Sequence, residues 1–223
     1  MAGVADQHRP VRHLRGVTVI GGGMVAPMDL AVSLSVAPLL VAADGGADRA
    51  LALGHPPDWV IGDLDSISDP ARRSVPAARV LEVAEQDSTD FAKCLGRIDA
   101  PLVMAVGFAG LRLDHTLAAL TVMVQPGVPH VVMLASDDVI VLCPPRLTLP
   151  LMPGTRVSLY PMGPARGSSQ GLEWPIDGID FAPGQRVGTS NRATGLVSLR
   201  VQGPMLLMLP RDCLGTVLTA MQR

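Results

Sequence analysis

The 223-residue chain is expected to fold as an α/β protein: an N-terminal, mostly parallel sheet with flanking helices, followed by a smaller antiparallel β domain. Three observations lead there. Over the first two-thirds, apolar strand-like runs alternate with helix-length patterns, as parallel βαβ units require. Glycine-rich and acidic motifs stand directly after those runs, and open parallel sheets hold ligands at the carboxyl ends of their strands. From Cys143-Pro144-Pro145 onward, Gly and Pro recur every few residues between short apolar runs, and helical period is lost until the last residues.

In chain order, residues 1–15 read as a frayed tail, because His8, Arg9, Arg12, His13 and Arg15 are followed by no apolar segment of signal-peptide type. Strands are expected over 16–20, 39–43, 59–61, 80–83, 102–106 and 131–134. Helices are expected around 28–35, 47–53, 89–98 and 114–124. The third helix carries Phe91, Cys94, Leu95 and Ile98 at i, i+3, i+4 and i+7, a buried stripe that leaves Asp90 and Lys93 on a more polar face. The fourth carries Leu117, Leu120 and Val124. Runs at 156–160, 196–201 and 204–209 supply strands to the second domain, so the boundaries are 16–143 and 144–223.

Hydrophobic residues make up 48% of the chain, which is enough to bury a full core. Aromatics supply 3% against 11 methionines, so Leu, Val, Ala and Met build that core. The net charge of -2 and the lack of a basic block exclude a nucleic-acid footprint. Cys94, Cys143 and Cys213 are odd in number and lack Cys-x-x-Cys spacing, which argues against a disulfide framework or zinc site and fits a reducing cytoplasm. No stretch approaches the roughly 18 apolar residues of a membrane span, so a soluble protein is expected.

Gly21-Gly22-Gly23-Met24-Val25-Ala26 fits the G-x-G-x-x-A pattern of dinucleotide binding, with Asp44 at the next strand end. Tight-turn glycines give the same pattern. In Asp44-Gly45-Gly46, the glycines let backbone approach a ligand and the next helix offers its N-terminus to a phosphate, while Asp44 can equally cap that helix. Asp63-Leu64-Asp65-Ser66 is more specific. An extended backbone would send both carboxylates to one side, where they can grip one Mg²⁺, and would point Leu64 inward. In Gln86-Asp87-Ser88-Thr89-Asp90, Asp87 as N-cap and an Asp90–Lys93 surface pair compete with ligand binding. Arg112 offers a fork of donors to phosphate, Asp114 is a ligand group or an N-cap, and His115 is expected to be structural. Trp174 suits either stacking on a cationic ligand or core packing. Thr189-Ser190-Asn191 reads by composition as a turn.

Asp44-Gly45-Gly46, Gly62-Asp63-Leu64-Asp65-Ser66, Gln86-Asp87-Ser88-Thr89-Asp90 with Lys93, Arg112-Leu113-Asp114-His115 and Thr189-Ser190-Asn191 occur in the order found in thiamine pyrophosphokinases. The chain resembles that family from about residue 17 to 209. The resemblance implies a Rossmann-like catalytic domain, a C-terminal β-sandwich that helps bind thiamine, and a homodimer with active sites at the subunit interface. The implied reaction moves a pyrophosphoryl group from ATP to the hydroxyethyl arm of thiamine and releases AMP. By resemblance, Asp63, Asp65 and Asp90 are the Mg²⁺-associated carboxylates, with Lys93 and Arg112 adding positive charge. Asp44, Gly45, Gly46, Gln86, Asp87, Thr89 and Asp114 match the nucleotide and phosphate environment, and Trp174, Ser190 and Asn191 match the thiamine side. Where the family often has Gly-Gly-Arg, this chain has Gly110-Leu111-Arg112. The rival readings are a nicotinamide or flavin oxidoreductase, which leaves the acidic pair without work, and a non-catalytic thiamine or nucleotide sensor.

Overall fold

The computed structural model describes residues 10–110 and 112–221; residues 1–9 of the expected tail and Leu111 of the Gly-Leu-Arg motif lie outside them. The chain forms two compact units, Met1–Ala135 and Ser136–Arg223.

The first unit runs β1 Val11–Arg12, β2 Val17–Ile20, α1 Pro27–Val36, β3 Leu39–Ala43, α2 Gly46–Ala52, β4 Trp59–Gly62 and α3 Asp69–Arg73, then β5 Val80–Glu82, α4 Asp90–Leu95, β6 Ile98–Asp99, β7 Val103–Val106, α5 Leu113–Met123 and β8 Val131–Leu134. Six strands pair in parallel in the order β8-β7-β2-β3-β4-β5. Every residue of β2, β7 and β8 is buried, as a sheet covered on both faces demands. The chain leaves β2 in one direction to β3, β4 and β5 and returns on its other side to β7 and β8. The carboxyl ends of β2 and β7 therefore flank the point where strand order reverses, and such a crevice is the favoured ligand site of an open α/β sheet.

The second unit contains β9 Asp138–Leu142, β10 Arg146–Pro150, β11 Arg156–Pro161, β12 Ala165–Leu172, β13 Asp180–Phe181, β14 Thr189–Gln202, β15 Met205–Pro210 and α6 Leu214–Met221. Its ladders are antiparallel. The 14-residue strand β14 pairs with β11 through its first residues and with β10 and β12 farther along.

Several expectations are corrected. Over the described strands the pairing is that of a 13-stranded mixed sheet, not of a mostly parallel Rossmann-like sheet. The parallel ladders belong to the first unit's strands only; local periodicity signals a strand without naming its partner. The change of unit precedes the expected 143/144 boundary, because β9 pairs antiparallel with β15. Residues 10–15 are not all frayed, since Val11 is fully buried and β1 pairs in parallel with β6. Helix α4 stops at Leu95 with Gly96 as its C-cap, so Ile98 enters β6 instead of extending the helical stripe. Thr189-Ser190-Asn191 opens a strand, not a turn. Helix α3 was not anticipated, although Ser68-Asp69-Pro70 carries its start signal: the Ser68 hydroxyl accepts the Ala71 amide at 3.3 Å and Pro70 stands in the first turn. No helix among the described residues is long and apolar enough to cross a membrane.

Candidate active site

A cleft of 520 Å³ lies in the first unit where the segments following β2, β3, β4, β5 and β7 meet. Its floor is backbone. A side chain at Gly21 or Gly23 would sit 2.6 Å from the Gly107 carbonyl, and Gly107 itself has a left-handed φ of 76°. The glycine cluster thus serves close backbone approach.

Asp44 follows β3 in a left-handed conformation (φ 44°), a region that Asp tolerates better than most residues. It does not cap α2: Gly45 holds the N-cap position, no side chain caps the helix, and Asp44 Oδ1 is buried without a hydrogen-bond partner. Burial, reinforced by the charges of Asp90 and Asp63, raises its pKa above the ordinary carboxylate value. A side chain at Gly62 would come within 2.7 Å of Asp44 Cβ, so that glycine makes room for the carboxylate.

Beyond β4 the backbone is not extended. Leu64 is left-handed at φ 66° and only half-buried, so Asp63 and Asp65 come together through a turn, with the Asp65 amide donating to Asp63 Oδ1 at 3.5 Å. Their convergence holds, and a third acid joins them: Asp44, Asp63 and Asp65 each offer an oxygen within 4.8 Å of the others. Asp90, expected as the third ligand, is not in this group. It accepts a bond from Lys93 Nζ at 3.1 Å, while the same ammonium donates to Asp63 Oδ2 at 3.0 Å.

Lys93 is therefore not on a polar face; its side chain is 2% exposed and sealed between two carboxylates. Burial opposes its charge, but the bonds to Asp63 and Asp90 outweigh burial and hold its pKa above the usual lysine value. The Lys93 bond is likewise the chief cause that lowers the pKa of Asp63, to which Gln86 Nε2 also donates at 3.1 Å. Thr89, not Asp87, caps α4, its hydroxyl accepting the Ala92 amide at 3.2 Å.

The loop before that cap is held by Glu85, a residue the sequence reading missed. Its carboxylate accepts the amides of Asp87 and Ser88 at 2.9 and 3.0 Å and the Ser88 hydroxyl, and the hydroxyl bond is the main cause of its lowered pKa. A carboxylate followed at i+2 and i+3 by loop amides is a local signal that was available. Phe91, expected on the buried stripe of its helix, packs against Phe108, which was overlooked, with ring centroids 4.1 Å apart, and both line the cleft. Cys94 is fully buried and its thiol pKa is strongly raised by burial, which makes it a poor nucleophile.

Arg112 lines the cleft but is engaged in a two-point pair with Asp114, at 3.2 and 2.6 Å, with both side chains well exposed. Asp114 is not an N-cap; Arg112 holds that position. Gly45, Gln86 and Thr89 also line the cleft, as does His115, whereas Gly46, Asp65, Asp87 and Asp114 do not. Gly46 packs instead: a side chain there would meet the Ile20 carbonyl at 2.1 Å.

Trp174, Ser190 and Asn191 belong to the second unit. Trp174 is 52% exposed and so is not a core residue. Asn191 is buried: its Oδ1 accepts the amides of Trp174 (3.2 Å) and Arg192 (2.8 Å), and its Nδ2 donates to the Trp174 carbonyl at 2.6 Å. Most of its bonding capacity thus goes to fixing the Trp174 backbone. Ser190 is exposed on the opposite face of the strand. The Arg192 guanidinium lies 5.9 Å from the Trp174 ring centroid and 3.5 Å from Glu173.

The donor set fits a hard divalent cation. Three carboxylates converge, one oxygen is buried without a partner, and all ligands are oxygen. Residues 31–133 match the family model for the thiamin pyrophosphokinase catalytic domain, which spans the acidic site. Over that stretch the chain is similar to thiamine pyrophosphokinases. It is 28% identical over 193 residues to thiamine pyrophosphokinase 1 of Arabidopsis thaliana, covering 70% of this chain and 71% of the relative. The fold matches thiamin pyrophosphokinase from Candida albicans with a TM-score of 0.73 at 16% identity, over 90% of this chain and 92% of that one. Thiamin pyrophosphokinase from Geobacillus thermodenitrificans matches with a TM-score of 0.68 at 20% identity, over 87% and 96%. These thiamine pyrophosphokinase matches lend no support to the oxidoreductase or the sensor.

Proposed function

We propose that the chain is a thiamine diphosphokinase that transfers the pyrophosphoryl group of ATP to thiamine, giving thiamine diphosphate and AMP. The observation that carries this reading is the convergence of Asp44, Asp63 and Asp65 beside a buried Lys93, with Asp44, Asp63 and Lys93 lining a cleft at the sheet's switch point. Carboxylates this close repel one another unless a cation joins them, and Mg²⁺ is the ion that pairs a few carboxylates with substrate phosphates. When bound, that ion compensates charge on the phosphate oxygens. Asp44, Asp63 and Asp65 would hold it, a set that exchanges Asp90 for Asp44 relative to the sequence reading.

Phosphoryl transfer through a loose transition state asks for placement and charge compensation more than for a strong base. Asp90 and Gln86 keep Lys93 and Asp63 in register, and Lys93 Nζ lends its charge to the phosphate end of the cleft. Gly45 and the Gly21–Gly23 backbone let phosphates approach closely. Arg112, which lines the cleft while paired with Asp114, exchanges that carboxylate for the phosphates when ATP enters. The exposed Trp174 ring accepts the thiazolium or pyrimidine ring of thiamine, Asn191 holds that tryptophan in place, and Ser190 offers a free hydroxyl. On this reading the second unit, Ser136–Arg223, is the thiamine-binding β-sandwich, the working form is a homodimer with its active sites at the subunit interface, and the compartment is the cytoplasm. The test incubates purified protein with ATP, Mg²⁺ and thiamine. AMP and thiamine diphosphate in equal amounts are expected; ADP with thiamine monophosphate would refute pyrophosphoryl transfer.

A further inference from the structure

We infer that the second unit carries an anion site for a small diphosphate-bearing ligand on the exposed face of β10, β14 and β12, apart from the acidic cleft. A groove of 250 Å³ lies there. Two rows of side chains cross the three strands. Arg146 of β10 is directly opposite Arg200 of β14, which is opposite Ser168 of β12; in the next row Thr148 is opposite Ser198, which is opposite Gln170.

Two guanidiniums set directly across an antiparallel ladder repel, and a cross-strand pair of like charges destabilises a sheet. Neither has a carboxylate partner among the described residues. In the same unit Arg156 pairs with Asp138, Arg166 with Asp180 and Arg192 with Glu173. No Asp or Glu is among the residues that line the groove; Asp177 accepts the amide of Ser169, a lining residue, at 3.1 Å. The neighbouring row is neutral, with hydroxyls of Thr148 and Ser198 3.4 Å apart and the amide of Gln170 beyond them.

Two unpaired forks, each able to bind an oxyanion bidentately, flanked by neutral donors and no acid, suit a ligand with two linked anionic groups. The surface is too small, and too poor in further Lys or Arg, for a nucleic-acid backbone.

The test uses the full chain in EDTA, which suppresses cation-dependent binding in the acidic cleft, with inorganic pyrophosphate as the probe and sulfate at matched ionic strength as the control. Calorimetric titration of wild type and of Arg146→Gln/Arg200→Gln is expected to show pyrophosphate binding at least tenfold weaker in the variant, with sulfate weak in both. Because the substitutions remove a like-charge pair, the unliganded variant should melt no lower than wild type, and pyrophosphate should raise the Tm of wild type alone. Arg146→Gln and Arg200→Gln singly carry the same test should the double variant express poorly. Equal pyrophosphate affinity in wild type and variants, or sulfate binding as tightly as pyrophosphate, would overturn the assignment.

Discussion

Replacing Lys93 with methionine should destabilise the first unit by about 2–3 kcal/mol. The side chains of Lys93, Asp63 and Asp90 are 2%, 14% and 37% exposed. Removing one partner of a buried ion pair costs about 3–5 kcal/mol, because the other charge is left unpaired. The 37% exposure of Asp90 lets water compensate part of that loss, which brings the cost down to about 2–3 kcal/mol. Methionine keeps most of the apolar stem and creates little cavity.

With a urea slope of about 3 kcal/mol/M, the midpoint should fall by about 1 M. The two tryptophans make the measurement local: in a Trp174→Phe background, fluorescence reports Trp59, which opens β4 in the first unit. Asp63 has a lowered pKa in the folded state, so its stabilising effect is present above the unfolded value of about 3.9 and is lost as pH falls through the folded value. Lys93 has a raised one, so its effect is present below the unfolded value of about 10.4 and is lost as pH rises through the folded value. The difference between wild type and Lys93→Met should therefore be widest at neutral pH and shrink in acid and in strong alkali. A midpoint shift below about 0.3 M at pH 7, or one independent of pH, would refute the clamp.

Asp63→Asn should lower turnover with ATP, Mg²⁺ and thiamine by well over tenfold while far-UV circular dichroism is unchanged; a near wild-type rate would contradict its role. Asp44→Asn should stabilise the metal-free protein by about 1 kcal/mol, since it replaces a buried carboxylate with an unbonded oxygen by a neutral amide. Because the folded pKa of Asp44 is raised, the cost of its charge is present above that folded value and vanishes below the unfolded one, so the gain should disappear in acid; a lower Tm in EDTA at pH 7 would count against this. Trp174→Ala should raise the KM for thiamine far more than that for ATP, and equal effects would argue against stacking. Asn191→Ala leaves the Trp174 and Arg192 backbone groups without partners and should lower stability by about 1–3 kcal/mol, with thiamine KM rising in parallel; an unchanged thiamine KM would separate Asn191 from the tryptophan.

What was legible in the sequence followed from local pattern. The strands at 39–43 and 131–134 match β3 and β8 to the residue, because parallel strands covered on both faces read as continuous apolar runs between turns. The Asp63/Asp65 pair was visible because two acids one residue apart need a reason. Asp44 reads in sequence as a helix cap or as part of the nucleotide environment, since its approach to Asp63 depends on β3 lying beside β4, a tertiary fact, and on the missing side chain at Gly62. Lys93 was placed on the polar side because its helical phase puts it near Asp90, and no pattern within α4 reveals Asp63 arriving from β4 to bury it. The same limit hid the end of α4: Ile98 fits the helical stripe, but its burial is against Val11 across a ladder.

The packing of Gly21 and Gly23 against Gly107 has a consequence for how this catalyst can diversify. Where main chain abuts main chain, no substitution can add a methyl group without moving a strand end, so that surface offers selection nothing to adjust. Any change in what the crevice accepts must come from side chains that line it, such as Phe108, Arg112 and Thr116, around a base of fixed main chain.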